Sequence, residues 1–600
     1  MPKILSRNPE KESSKRPPRK RLEQIPVLEE KTIGDFDWNI LKRFLSYLKP
    51  YLRGIAVMYL LALLLVSASI AIPVFLKIGI DTYIAQADVT GLVGIAAGLC
   101  GLIVVVYLSA KGQGVLMMRI GYQIQYRLRQ DLLIHLQYLS FRFFDTQKTG
   151  QIMSRLTNDV QVLEELLRAG LNTIFIDIIM LIGITIAMFS IDPRLSLVIF
   201  ITVPLFMVLV FILRTRLINT ARRIQRHYAA VNAFLNESIS GIKVIRSFAR
   251  ENENIADFRS INKEYYTQTR SFYRLTAYFW QGVATVSVLG QALVLLGGGI
   301  LLAAGSLTLG TIAAFLLYIN RFFQPLQNIS NMLNQLSRAM ASAERIFAVM
   351  DVPRDVEDRD DAITEIDLQG DIEFRDVWFA YEGEEFVARK INFQVEAGKT
   401  TLINLLCRFY DPIEGAVIVD GHDLRDLTQA AYRSHLAVVM QDARIFSGTV
   451  IENIRYGKPD ATFEEVVAIA EEMGIHQMIQ SMPRGYDTRI GEQGANLSLG
   501  QKQLLAFARA LIRDPRILIL DEASAYLDSQ SEKMLQTAMQ TLRHNRTSFI
   551  ISHRLSTIQG ADTILVLENG QIVESGSHAE LMQKGQHFAR LVESQYTPSN

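Results

Sequence analysis

The first half of the chain alternates long apolar runs with long polar segments of helical period. Apolar stretches able to cross about 30 Å of hydrocarbon begin near Gly54, Gly91, Leu171, Leu195, Gly282 and Leu307, and predict six transmembrane helices. Any one of them alone also fits a buried helix of a soluble protein. Six in succession do not. Pro73, Pro204 and Pro325 lie in or near these runs, which a membrane tolerates where neighbouring helices hydrogen-bond the carbonyls that proline frees.

The connections set the orientation. DTYIAQADVT, SIDPRLS and AAGSLTLG carry one Lys or Arg between them, Arg194, whereas segments 119–165 and 214–275 are rich in both. Cytoplasmic loops retain positive charge, so both long segments and both termini belong in the cytoplasm. The long segments keep an apolar period of 3.6, so the spans continue as helices well beyond the bilayer. Their tips, FFDTQKTGQIMSRLTNDV and ESISGIKVIRSFARE, mix glycine, charge and apolar side chains as a short docking helix would. Ordinary loop chemistry explains the glycines but not the apolar residues.

From Ile363 the pattern shifts to short strands and then to alternating strands and helices, as in a parallel α/β sheet. In RILILDEASAYLD the buried strand Ile517–Leu520 ends on Asp521 and Glu522, at the strand tip where open α/β sheets bind ligands. Asp521 can orient a Mg²⁺ through its water shell, and Glu522 can polarise water attacking a γ-phosphate. Upstream, NLSLGQKQLLAFARAL places Ser498 and a glycine turn at the start of an amphipathic helix, a natural anion site. His553 follows the strand in TSFIISHRL, Gln441 follows the strand in AVVMQDARIF, and Tyr381 ends VWFAY. Tyr381 offers a ring to an adenine, and Gln441 reaches metal or water. Each alone is more often structural; their order and their places at strand ends carry the chemistry.

Composition narrows the class. The 600 residues exceed one core, and 49% hydrophobic with 20% charged residues fits a membrane part joined to a soluble part. A net charge of +1 excludes a dominantly basic nucleic-acid binder. Two cysteines, Cys100 and Cys407, leave no disulfide framework and no CxxC metal spacing. The first residues lack the apolar core of a secretory signal and read as a basic, disordered cytoplasmic tail.

The ordered set Tyr381, GKTT (398–401), Gln441, LSLGQ (497–501), ILILDE (517–522), Asp528 and SHR (552–554) resembles the ATPase domain of ATP-binding-cassette (ABC) proteins. The two tips resemble the intracellular loops of six-helix ABC exporters of the bacterial multidrug and lipid type. The resemblance spans roughly residues 40–595. It implies a helical membrane domain with six spans and long cytoplasmic extensions, fused to an α/β P-loop-type ATPase domain. The boundaries expected are a tail at 1–38, the membrane domain at 39–335, a linker at 336–365 and the nucleotide-binding domain at 366–600.

The resemblance also implies ATP and Mg²⁺ as ligands. Tyr381, Gly398, Lys399, Thr400, Thr401 and Asp521 would bind ATP. Thr400, Gln441 and Asp521 would hold Mg²⁺, and Glu522, His553 and Gln441 would be catalytic. Ser498, Gly500 and Gln501 would contact ATP on a partner subunit, with Asp528 in the connecting loop. The expected assembly is a homodimer or, slightly preferred, a heterodimer with a second half-transporter. It would lie among lipids of the cell membrane, both termini and the ATPase cytoplasmic, exporting a hydrophobic or amphipathic molecule and binding no nucleic acid. A soluble ABC ATPase of DNA repair or translation is the remote alternative.

Two departures qualify this. A Walker A loop reads GxxxxGK[ST] so that bare backbone N–H groups wrap the phosphates, but five residues before Gly398 stands Phe393. About twelve residues, a strand and most of the glycine loop, are absent relative to the usual context of the motif. The chain could slide INFQV into the vacant place, or the loss could leave a silent subunit that depends on a competent partner. Leu499 stands where the family usually has glycine, which points to one member of an asymmetric pair.

Overall fold

The computed structural model describes residues 38–381, 387–394, 400–521, 529–551, 560–568 and 571–596. It divides into two compact units: a helical one of residues 31–133 and 153–349, and an α/β one of residues 350–600 that also takes in residues 134–152.

From Trp38 to Met350 the chain is helical: α1 (Trp38–Ser46), α2 (Leu52–Ile78), α3 (Val89–Gln137), α4 (Phe141–Thr146), α5 (Thr149–Ser154), α6 (Val160–Glu165), α7 (Asn172–Ile191), α8 (Pro193–Phe200), α9 (Thr202–Ser240), α10 (Ile242–Ser247), α11 (Glu251–Ala303) and α12 (Leu309–Met350). The 49 residues of α3 and 53 of α11 reach about 75–80 Å at 1.5 Å per residue. That is more than twice the hydrocarbon thickness, as the periodicity predicts. α9 and α11 run along each other, with Tyr228 against Tyr265 and Phe234 against Phe258.

Among the described residues five helical stretches, beginning at Lys49, Val89, Thr149, Pro193 and Glu251, are long and apolar enough to cross a membrane. The sequence predicts six. α12 is a long helix but is not among the five; Asn320, Arg321 and Gln324 interrupt its apolar run. Its start is tied to the end of the first span. Asp81 accepts from the Gly310 N–H at 2.7 Å and from the Thr308 hydroxyl, and forms an ion pair with Lys77. An apolar core around Phe206, Val294, Phe315, Tyr318, Phe322 and Phe323 holds α7, α9, α11 and α12 together.

Pro73 sits inside α2. It has no N–H for the carbonyl four residues back, that of Ser69. Arg321 of α12 donates to this oxygen, and the buried Tyr318 hydroxyl donates to the Ile70 carbonyl at 2.7 Å. The compensation that a membrane proline requires is thus supplied by the last helix.

The α/β unit contains two main sheets. One is antiparallel, in the order β2-β1-β3-β4, from β1 (Ile372–Phe379), β2 (Ala388–Gln394), β3 (Glu414–Val419) and β4 (His422–Asp423). The other is parallel, in the order β5-β8-β9, from β5 (Leu436–Val439), β8 (Ile517–Asp521) and β9 (Thr547–Ile551). Two small pairs complete it: β6 (Gly448–Thr449) with β7 (Arg489–Ile490), and β10 (Ile564–Glu568) with β11 (Gln571–Gly576). Among the described residues the helices are α13 (Thr400–Leu406), α14 (Gln429–Ser434), α15 (Val450–Arg455), α16 (Phe463–Glu472), α17 (His476–Gln480), α18 (Leu499–Leu511), α19 (Ser529–Arg543), α20 (His578–Lys584) and α21 (His587–Tyr596).

INFQ does not move into the parallel sheet. β2 pairs antiparallel with β1, Phe374 opposite Phe393 and Glu373 opposite Gln394. Five residues, 395–399, connect β2 to α13 and lie outside the described residues. Among the described residues β9 has a strand on one side only.

Candidate active site

The parallel sheet gathers the predicted chemistry at one edge. Val439 lies opposite Leu520 and Asp521 opposite Ile551, so the C-terminal ends of β5, β8 and β9 are side by side. Ile517 to Leu520 are fully buried because helices cover a parallel sheet on both faces. Asp521, half-buried, is the first polar residue to emerge, and Gln441 is exposed two positions past β5. Glu522 and His553, one and two positions past β8 and β9, lie outside the described residues, as do Asp528, Gly398 and Lys399. Thr400 is the first residue of α13.

Tyr381 lies at the end of β1, beside α13. Its hydroxyl bonds the Thr401 hydroxyl at 3.3 Å and accepts from the Asn404 amide at 3.0 Å. Its ring meets Phe379 and Tyr410 edge-on, with centroids 4.9 and 5.3 Å away. The sheet therefore brings the predicted adenine platform onto the helix that begins within GKTT.

The first intracellular tip reaches the same cluster. The Arg142 guanidinium donates to the Tyr381 carbonyl at 2.8 Å, Phe141 stacks on Phe409 with centroids 4.0 Å apart, and the Tyr410 hydroxyl donates to Asp145. Ser140 donates to Asp355 at 2.8 Å. Burial and the Asp145 carboxylate push the Tyr410 phenol well above its ordinary value, so it remains a donor. Arg142, Asp145, Asn404, Phe409 and Tyr410 were not singled out by sequence reasoning. The one available signal was the apolar tip FRFF, which needs an apolar receptor.

Ser498 caps α18. Its hydroxyl accepts from the Gln501 N–H at 3.2 Å, while the Gln501 side chain accepts from the Ser498 N–H at 2.9 Å. This capping box fixes the LSLGQ turn with Ser498 and Leu499 exposed and Gly500 buried. In this chain the hydroxyl serves its own helix while the turn faces outward.

Among the described residues no three His, Cys, Asp or Glu side chains cluster to hold a metal. The Gln441 amide and Asp521 carboxylate are oxygen donors of the kind a hard cation takes, and they suit Mg²⁺ carried by a triphosphate rather than by an all-protein cage.

A helical unit with helices long and apolar enough to span a membrane, fused to an α/β unit whose parallel strand ends on Asp521 and whose capped turn at Ser498 faces outward, fits an ATP-driven membrane translocase. The comparisons agree. Residues 55–326 match the ABC transporter transmembrane region family and residues 396–525 match the ABC transporter family. YknV of Bacillus subtilis, an uncharacterised ABC transporter ATP-binding protein, is 36% identical over 94% of this chain and 95% of its own length. YgaD of the same organism, provisionally named a multidrug export ATP-binding/permease protein, is 34% identical over 92% of this chain and 99% of its own. A bacterial Atm1-family ABC exporter solved with ATP bound superposes with TM-score 0.73 at 25% identity, over 91% of this chain and 99% of that one. The chain belongs to the ABC transporters, in the exporter arrangement with membrane and ATPase domains on one polypeptide.

Proposed function

We propose that this chain is one half of a dimeric exporter in the cell membrane that moves a hydrophobic or amphipathic molecule outward, using ATP with Mg²⁺. The observation that carries the dimer is an asymmetry between the two tips. α4 of the first tip is seated within the α/β unit, with Phe143 fully buried. α10 of the second has no buried residue: Ile242 and Val244 are 45% and 61% exposed, and Phe248, which follows the helix, is 74% exposed. Apolar side chains at a cytoplasmic tip need a cover, and a second ATPase domain supplies it. The outward-facing LSLGQ turn then meets nucleotide on that partner.

Within the dimer, Glu522 is the residue proposed to polarise the attacking water, His553 and Gln441 to contact γ-phosphate and metal, and Asp521 with Thr400 to hold Mg²⁺. Lys399, Gly398 and Thr401 would meet the phosphates. The five-residue connection between β2 and α13 favours a second reading for this chain's own site: it binds nucleotide weakly and depends on a complete partner. Co-expression of two differently tagged copies, and of one copy with a second half-transporter, tests both readings. Recovery of mixed-tag pairs with ATPase activity supports a homodimer. Activity only with the second protein supports the asymmetric pair. A monomer under both conditions overturns the dimer. In an asymmetric pair, Ser498→Ala here should reduce turnover less than the equivalent change in the partner.

A further inference from the structure

The polar interruption of α12 lies well inside the helical unit, more than three turns from the helix start. Arg321 is twelve residues past Leu309, the start of α12, and Ser69 is nine before Ile78, the end of α2. These are depths of about 18 and 13 Å from the outer helix ends. Leu317, Asn320, Arg321 and Gln324 share about 100° of the helix circumference. Asn320 and Gln324 are exposed and Arg321 is half-buried. From α11, Gln291 donates to the Asn320 side chain at 2.9 Å. Val288 and Leu295, which share a face with Gln291, are 61% and 55% exposed. Two acidic residues of the same unit are engaged elsewhere, Asp81 with Gly310 and Thr308, Asp177 with Asn328. Among the described residues Arg321 makes no ion pair.

A guanidinium and three amides at this depth are costly against lipid and belong beside a cavity. We propose that this strip is a recognition site for an amphipathic organic anion, its carboxylate or phosphate bound by Arg321 with Asn320 and Gln324, its apolar part lying along Val288, Leu295 and Leu317. Arginine suits such a headgroup because its planar donors pair with two oxygens at once, and the bond to the Ser69 carbonyl occupies only one of its nitrogens. The inference rests on the export reading, but the site can be tested without nucleotide or transport.

The full chain in phosphatidylcholine nanodiscs would be titrated with 11-(dansylamino)undecanoic acid and with its neutral primary amide. The acid should bind roughly tenfold more tightly than the amide. Arg321→Gln should bring the two within about twofold, and Arg321→Lys should keep part of the preference. Because Arg321→Gln also removes the Ser69 contact, Gln324→Glu is the second variant: it leaves the guanidinium in place, neutralises it one turn away, and should equally erase the preference. Equal binding of acid and amide by the unaltered chain, or a preference that survives both Arg321→Gln and Gln324→Glu, overturns the proposal. So does loss of acid binding when phosphatidylglycerol replaces part of the lipid, which would make the strip a headgroup contact. Acid-selective binding without any transport in a complete dimer would retain the site and discard the export reading.

Discussion

Arg321 of α12 donates to the carbonyl of Ser69, the oxygen that Pro73 leaves without its helical N–H. The last helix thereby completes the hydrogen bonding of the first span. Removing the donor by Arg321→Ala should destabilise the helical unit by about 1–3 kcal/mol, the range for an unsatisfied buried carbonyl. In a Pro73→Ala background residue 73 regains its N–H, and the same change should cost less. The two substitutions should therefore couple by about 1 kcal/mol in unfolding measured in detergent micelles. Additivity within about 0.5 kcal/mol would remove the link.

How much of this could be read from the chain differs between its parts. The membrane helices and their cytoplasmic extensions follow from apolar length and a 3.6 period, properties of single segments. The parallel strands ending on Asp521 and preceding Gln441 follow equally, since a four-residue apolar run between turns has few other fates. α12 was counted with the other spans although its polar face sets it apart; periodicity found the helix, but not what faces Asn320 or Arg321. The cluster of Arg142, Asp145, Phe409, Tyr410 and Tyr381 joins residues up to 268 positions apart in sequence, Arg142 to Tyr410, and no local pattern encodes such pairing. Ser498 was legible as a helix start, and the capping box with Gln501 is the local chemistry that makes it one.

The stacked pair Phe141 and Phe409 should hold the first tip to the ATPase unit. A cycle of Phe141→Ala and Phe409→Ala, read by hydrogen exchange across residues 141–146, should show a coupling of about 0.5–1.5 kcal/mol, typical of an aromatic pair. Tyr410→Phe should raise exchange in the same segment by removing the donor to Asp145. Exchange unchanged in all four variants would mean that the tip is held by other contacts.

Cys407 immediately follows α13 and is fully buried; burial pushes its thiol up to about 12. A folded-state value above the unfolded one keeps the thiol neutral, and this contribution to stability is complete below the unfolded value, about 8.5, and lost as pH rises through the folded one. In a Cys100→Ala background, maleimide labelling at pH 8 should be at least roughly a hundredfold slower in the native chain than in denaturant, because reaction needs both exposure and thiolate. Equal rates would show that this core opens freely.

Hydrolysis assigns Glu522. In a complex with measurable turnover, Glu522→Gln should lower ATPase activity by at least roughly a hundredfold while nucleotide still binds, as loss of a general base does. His553→Ala should act in the same direction. Near-unaltered turnover in Glu522→Gln would place the base elsewhere.

The connection between β2 and α13 decides what this chain's own nucleotide site can do. β2 keeps its antiparallel place on β1, and residues 395–399 alone bridge to Thr400. The parallel sheet is therefore not rebuilt from INFQ, and among the described residues the outer edge of β9 has no strand beside it. A phosphate loop works by presenting successive backbone N–H groups to oxygen, which needs glycines and length. Val395, Glu396 and Ala397 include no glycine, and a glutamate beside a triphosphate would add repulsion. Inserting a strand and a glycine loop between Ala397 and Gly398 should pair the open side of β9 and supply those N–H groups. The repaired chain should then gain Mg-ATP affinity by at least about tenfold, unfold at a higher temperature once ATP is present, and label more slowly at Cys407. Calorimetric titration of both chains decides it: micromolar binding of Mg-ATP by the unaltered chain, abolished by Lys399→Ala, would show that the short connection already makes a working cradle.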